Sequence, residues 1–207
     1  MRYWNNLTNR RFTKLFSLYR GGVYMIHCGT QRLETERLIL RRFIKEDSDA
    51  VYRNWASDPE VAKYLTWQVH SSEKVSKQAI KAWLKQYSDD NYYHWAIVLK
   101  DNGDEPIGGI DVVLINEEVS MVHIGYCIGK KWWHQGITSE ALKAVMDYLF
   151  DVVNVNRIES RHDTRNPNSG KVMQKCGMKY EGTLRSADKN NQGICDISYY
   201  ALLKSER

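Results

Sequence analysis

The chain has 207 residues, 43% apolar and 27% charged, enough for one domain with a full hydrophobic core. No apolar run approaches the roughly 20 residues needed to span a bilayer, which excludes a helical membrane span. The net charge of +5 comes from the first segment: residues 1–32 hold six basic residues and no acid, leaving 24 basic and 25 acidic residues in a body that gives no reason to expect nucleic acid as a partner.

Residues 1–24 have several readings. Phe12, Leu15, Phe16 and Tyr19 sit at helical spacing, and an Arg-rich start also suits a basic arm or a targeting peptide. We favour another. Arg20-Gly21-Gly22 stands just before Met25, and its codons can spell a ribosome-binding sequence, so residues 1–24 are expected to be translated leader and 25–207 one domain.

The body then alternates in period. Glu36–Phe43 carries Leu38 and Leu40 at period 2 and reads as a strand. Glu46-Asp47-Ser48 opens a helix through about Trp55, and Asp58-Pro59-Glu60 opens a short second one. Ser71-Ser72-Glu73 is expected to cap a longer helix whose Val75, Ala79, Ile80, Trp83, Leu84 and Tyr87 form its apolar face. Strands follow at Tyr92–Lys100, Ile107–Asn116 and Ser120–Ile128, the first two joined by the turn Asp101-Asn102-Gly103. Leu142, Val145, Met146, Leu149, Phe150 and Val153 line a central helix. A strand (Arg157–Asp163), a helix (Asn168–Cys176) and two strands (Met178–Leu184, Ile194–Leu203) complete the chain. This order predicts an α+β fold with a mixed, mostly antiparallel twisted sheet of about 6–7 strands flanked by about 4–5 helices. The four cysteines (28, 127, 176 and 195) show no paired metal-ligand spacing, so they read as reduced thiols of a cytoplasmic protein with no metal site.

One stretch raises a chemical question. In His134-Gln135-Gly136-Ile137-Thr138 a glycine stands where strand gives way to central helix. Free N–H groups at a helix N-terminus favour a phosphate, and Gly136 lets backbone approach it. A lone glycine before a helix is also an ordinary turn.

The runs GYCIG, WWHQGITSEA, NRIESRHDTRN and NPNSGKVMQKCGMKYEGTLR, with the opening TERLILR and the closing DISYYALL, resemble the GNAT superfamily of N-acetyltransferases. The ribosomal-protein-alanine (RimJ/RimL) branch is the nearest. The likeness spans about residues 31–204. It implies a cofactor cleft between splayed central strands, with acetyl-CoA as acyl donor and no metal. Its diphosphate would sit on Gln135, Gly136, Ile137 and Thr138, although only the middle glycine of the family's loop pattern is kept. Tyr126, Cys127 and Ile128 would line the pantetheine arm, with Gly125 marking a bulge. Asn166 would hydrogen-bond that arm, and Ser169 would protonate the departing thiolate or simply cap its helix.

The base is left more open. His123, on the cofactor strand, has an unperturbed pKa near 6.5 that suits proton removal; Glu159 and His162 are alternatives, and so is a merely packed histidine. Deprotonating an α-amino group of pKa about 8 at pH 7 costs roughly 1.4 kcal/mol against about 4.6 for a lysine. A protein N-terminus therefore asks less of the enzyme than a lysine does. The resemblance implies a primary-amine acceptor, a protein N-terminus or a small molecule, met by loops at Tyr64–Ser71 and Ser186–Gly193. There Tyr64 and Trp67 offer aromatic walls and Asp188 a negative charge. Attack would be direct, with Cys127 a packed thiol and not a nucleophile. A homodimer fits the analogy, and no nucleic-acid or membrane partner is expected. The competing reading is a non-catalytic CoA-binding module.

Overall fold

The computed structural model describes residues 24–207, so the expected leader lies, apart from Tyr24, outside the described residues. Eight strands form one sheet: β1 (Leu33–Glu34), β2 (Leu38–Arg41), β3 (His94–Leu99), β4 (Pro106–Asn116), β5 (Met121–Ile128), β6 (Arg157–Asp163), β7 (Lys179–Asn190) and β8 (Gly193–Leu203). Their spatial order is β1-β2-β3-β4-β5-β6-β8-β7, and only β5 with β6 is parallel. The helices are α1 (residues 45–56), α2 (Pro59–Ala62), α3 (Glu73–Gln86), α4 (Ile137–Asp151) and α5 (Pro167–Lys175).

Period-2 alternation divides the interior into two layers. Trp95 and Ile97 of β3 point to the face covered by α4, where Leu142, Val145 and Leu149 are fully buried. Ala96 and Val98 point the other way, onto Phe43, Val51 and Trp55. Ile26 N–H donates to Val153 O and Asn154 Nδ2 to Tyr24 O, tying the first described residues to the end of α4.

The second layer is fixed by a buried ion pair. Arg41 donates to both oxygens of Asp47, at 2.8 and 2.9 Å, and Asp47 also accepts from Ile44 N–H. The acid expected to favour a helix start therefore also anchors β2. α1 begins as a 3-10 turn and ends in a π turn, Tyr52–Ala56. Such wide turns often mark functional sites. Here it brings Asn54 close enough to donate to Pro106 O at 2.8 Å.

Two expectations are corrected. Ser72 occupies the N-cap of α3 but its hydroxyl makes no capping bond. The segment Ser186–Gly193, expected as a loop, is mostly strand: β7 runs to Asn190, pairing Asp188 with Cys195, Lys189 with Ile194 and Asn190 with Gly193. β7 lies at the edge of the sheet with mostly exposed side chains, so its last residues lack the apolar alternation that marks a half-buried strand.

Candidate active site

The sheet opens where its direction changes. β5 and β6 pair only from Met121–His123 against Arg157–Glu159, then diverge. Beyond that point Ser160 Oγ reaches across to donate to Ile124 O at 2.8 Å. The bulge expected at Gly125 lies instead on the partner strand, where the register shifts between Val112 and Leu114. Gly125 has another role: a Cβ there would meet Val113 Cγ1 at 3.1 Å and Asp111 Oδ1 at 3.3 Å.

At the open end of the fork the chain turns into α4. His134 and Gly136 both take left-handed conformations, with φ of 60° and 75°. Gly136 is the N-cap of α4, and no side chain caps it. Glu140 N–H returns to Gly136 O at 3.1 Å, while the amides of Ile137, Thr138 and Ser139 find no protein acceptor among the described residues. Three aligned donors at the positive end of a 15-residue helix thus face outward.

Two cations flank them. A Cβ at Gly136 would lie 3.4 Å from Lys175 Nζ and 3.7 Å from Arg37 Nη2. Arg37 also ties the loop to the sheet, donating to Gln135 O at 3.1 Å and to Glu140 at 2.7 Å. Thr35 Oγ1 donates to the same carboxylate. The opening Thr-Glu-Arg run therefore holds the loop in place. Neither Arg37 nor Lys175 was identified from the sequence, because each reaches Gly136 only through the fold.

The loop opens on a cavity of about 500 Å³ lined by Tyr126, Cys127 and Ile128 of β5, by Gly136, Ile137 and Thr138, and by Asn166 and Ser169. Eight of the residues selected from the sequence for the cofactor and the chemistry meet on this one surface. Gln135 and His123 are not on it: the Gln135 side chain is turned back to Lys131 O at 3.0 Å. Asn166 caps α5 by position only, leaving its side chain without a protein partner among the described residues. Ser169 Oγ does not cap either. It donates to Tyr126 Oη at 3.1 Å, which in turn donates to Ser169 O at 2.9 Å. Burial raises the Tyr126 hydroxyl well above its ordinary pKa despite the serine hydrogen bond, so it stays protonated.

Cys127 faces the opposite side of the sheet. Burial, reinforced by the charge of Asp111, pushes its thiol up to about 12, far from a reactive thiolate at neutral pH. Iodoacetamide at pH 8 is accordingly expected to leave Cys127 intact in the native protein and to modify it in urea. Mapping the labelled peptides checks this, and rapid native labelling would reopen a covalent route.

On that opposite face His123 sits 3.8 Å from Glu159 and edge-on to Tyr199. Burial, then the Arg161 guanidinium, lowers the imidazole to about 4, so it is neutral at pH 7 and a weak base. Glu159 is paired with Arg157 at 2.6 Å, and Asp188 with Arg161 at 2.9 Å. The charge of Asp188, expected to be free for an amine, is thus already met. His162 faces the other way, under Gly170, where a Cβ would come within 2.6 Å of its Nε2. Asp111 was missed. Its carboxyl has no hydrogen bond or ion pair among the described residues, and burial raises its pKa to about 7.

A clamp roofs this region. Asn191, in the tight turn between β7 and β8, donates from Nδ2 to Ala62 O at 2.9 Å and to Trp67 O at 2.8 Å. Its N–H donates to Leu65 O, and its Oδ1 accepts from Gln68. Tyr64 and Leu65, within the clamped loop, line the cavity.

Comparison with known proteins agrees with this geometry. Residues 37–179 match the acetyltransferase (GNAT) domain model. The chain is 32% identical over 176 residues to the uncharacterized N-acetyltransferase p20 of Bacillus licheniformis, across 85% of this chain and 98% of that one. It is 25% identical to the ribosomal protein uS5-alanine N-acetyltransferase of Escherichia coli K12, across 73% and 79% of the two chains. A solved GNAT-family acetyltransferase from Bacillus anthracis superposes with a TM-score of 0.74 at 27% identity, covering 85% of this chain and 100% of that one. A forked sheet, a helix N-terminus stripped of side-chain caps, and these matches lead to one assignment: the chain belongs to the GNAT acetyltransferase family and is an N-acetyltransferase.

Proposed function

We propose that this enzyme passes an acetyl group from acetyl-CoA to a primary amine by direct attack within a ternary complex. Members of the family use acetyl-CoA, and one relative acts on the alanine of a ribosomal protein. The observation that carries the reading is the set of unpartnered amides at Ile137–Ser139 beside Lys175, opening on the cavity along β5. That arrangement suits a diphosphate whose attached arm runs inward past Ile128 and Cys127. Asn166 would hold the arm.

The Tyr126–Ser169 pair lies at the inner end. Both hydroxyls remain protonated at neutral pH and can stabilise, then reprotonate, the leaving thiolate. Cys127 is too weak an acid to take part, which favours direct transfer. The amine would arrive from the opposite face, beneath the Asn191 clamp, and a protein N-terminus and a small amine both remain within this reading.

Calorimetry with acetyl-CoA, followed by thiol release with a panel of primary amines, tests it. Binding and transfer are both expected. Ser169→Ala and Tyr126→Phe should each lower kcat about tenfold while changing acetyl-CoA affinity less than threefold. Tight binding with no transfer to any amine would leave a CoA-binding module instead, and no binding would remove the proposal.

A further inference from the structure

Four carboxylates stand on the face of the sheet from which the acceptor would approach, and their partners separate them. Glu159 is held by Arg157, Asp188 by Arg161 and Asp163 by Arg165 at 2.6 Å. Asp111 has no such cation among the described residues. It lies directly across the β4–β5 ladder from Gly125, two residues before Cys127 on the strand that lines the cavity. Because residue 125 is glycine, the Asp111 carboxyl meets bare main chain on that strand; a methyl group there would touch Oδ1 at 3.3 Å and Val113 Cγ1 at 3.1 Å.

Resting on the acetyl-transfer reading, we propose that Asp111 takes the proton from the attacking amine. The ammonium gives one proton to the carboxylate, directly or through one water, and the freed lone pair forms the C–N bond to the acetyl carbon. As the C–S bond breaks, the second proton leaves nitrogen and ends on the CoA sulfur by way of the Tyr126–Ser169 hydroxyls. Asp111 then returns its proton to water, so the sum is ammonium plus thioester giving amide, thiol and one released proton.

Magnitudes separate the candidates. For an α-ammonium of pKa about 8, proton transfer to His123, held near 4, is disfavoured about ten-thousandfold. Transfer to Asp111, raised by burial to about 7, is disfavoured only about tenfold. The groups whose acidity its charge affects are Tyr92, just before β3, and Cys127 of β5, both neutral at pH 7; the other neighbour, His94 of β3, pairs with it across the β3–β4 ladder and is kept neutral by burial. No cation on these strands would hold the carboxyl down.

The test uses the full chain and its Asp111→Asn and Asp111→Glu variants, with alanine amide and 1,4-diaminobutane as acceptors. For Asp111→Asn, acetyl-CoA affinity should stay within about twofold of wild type. Its kcat should fall about a hundredfold, and the limb of kcat that rises through pH 7 should vanish; Asp111→Glu should restore part of both. Unchanged turnover, or an unchanged limb, would overturn the proposal. So would loss of acetyl-CoA binding in the variant, which would make Asp111 part of the cofactor site. A second readout needs no acceptor. A carboxyl raised above its unfolded pKa of about 4 costs stability as pH climbs from there through 7, so Asp111→Asn should gain on wild type from pH 5 to 8. Parallel stability curves would refute the proposal independently. A wild-type chain that binds acetyl-CoA but acetylates neither amine would instead count against the transfer reading.

Discussion

Replacing Gly136 with aspartate is expected to weaken acetyl-CoA binding about a thousandfold, or roughly 4 kcal/mol. Three effects add. The residue holds φ at 75°, a conformation that a side chain resists. A Cβ would enter the space between Lys175 Nζ and Arg37 Nη2, where the diphosphate is expected. The new carboxylate would then pair with those cations and repel the phosphates that the Ile137–Ser139 amides should receive, each such charged hydrogen bond being worth about 1.5–3 kcal/mol. Alanine at the same position adds strain without charge, so a loss nearer tenfold is expected. Calorimetry at fixed ionic strength measures both, with circular dichroism to check folding. Aspartate binding within threefold of wild type would place the diphosphate elsewhere.

The second large effect concerns stability. Asp47→Ala is expected to lower the unfolding free energy by about 3 kcal/mol, seen as a lower urea midpoint with unchanged slope. The side chain is 4% exposed and accepts a two-pronged bond from Arg41, itself 11% exposed. Removing the carboxylate strands a buried guanidinium and frees Ile44 N–H. Arg41 keeps Asp104 as a partner at 3.0 Å, which holds the loss toward the lower end of the range for buried pairs. Asp47→Asn retains an acceptor and should cost less. A loss under 1 kcal/mol for alanine would mean that Asp104 alone satisfies Arg41.

The sequence was most informative where backbone periodicity carried the signal. β2 falls within the stretch whose Leu38 and Leu40 alternate as a strand requires, and α4 follows its apolar stripe. The uncapped turn into α4 was legible for a similar reason: a glycine before a helix reports on backbone, which is local. Its cations were not legible. Arg37 lies 98 positions from the Gln135 carbonyl it grips, and only the sheet order brings them together. Asp111 was hidden differently. In a strand reading IGGIDVVLIN an acid at alternating position looks like ordinary solvent-facing polarity, and its lack of a partner is visible only once every neighbouring arginine is seen to be taken. Asp188 failed in the opposite sense, since its arginine sits on another strand.

The Asn191 clamp has a bearing on how acceptor choice could drift. On the facing side, three of its four bonds end on main-chain carbonyls, those of Ala62, Leu65 and Trp67. Side chains there, Tyr64 among them, are therefore free to be exchanged without unlatching the cover, whereas the asparagine has no substitute offering two amide hydrogens at that reach. A catalyst built this way could sample new amines by varying one rim of the entrance while the other stays constant.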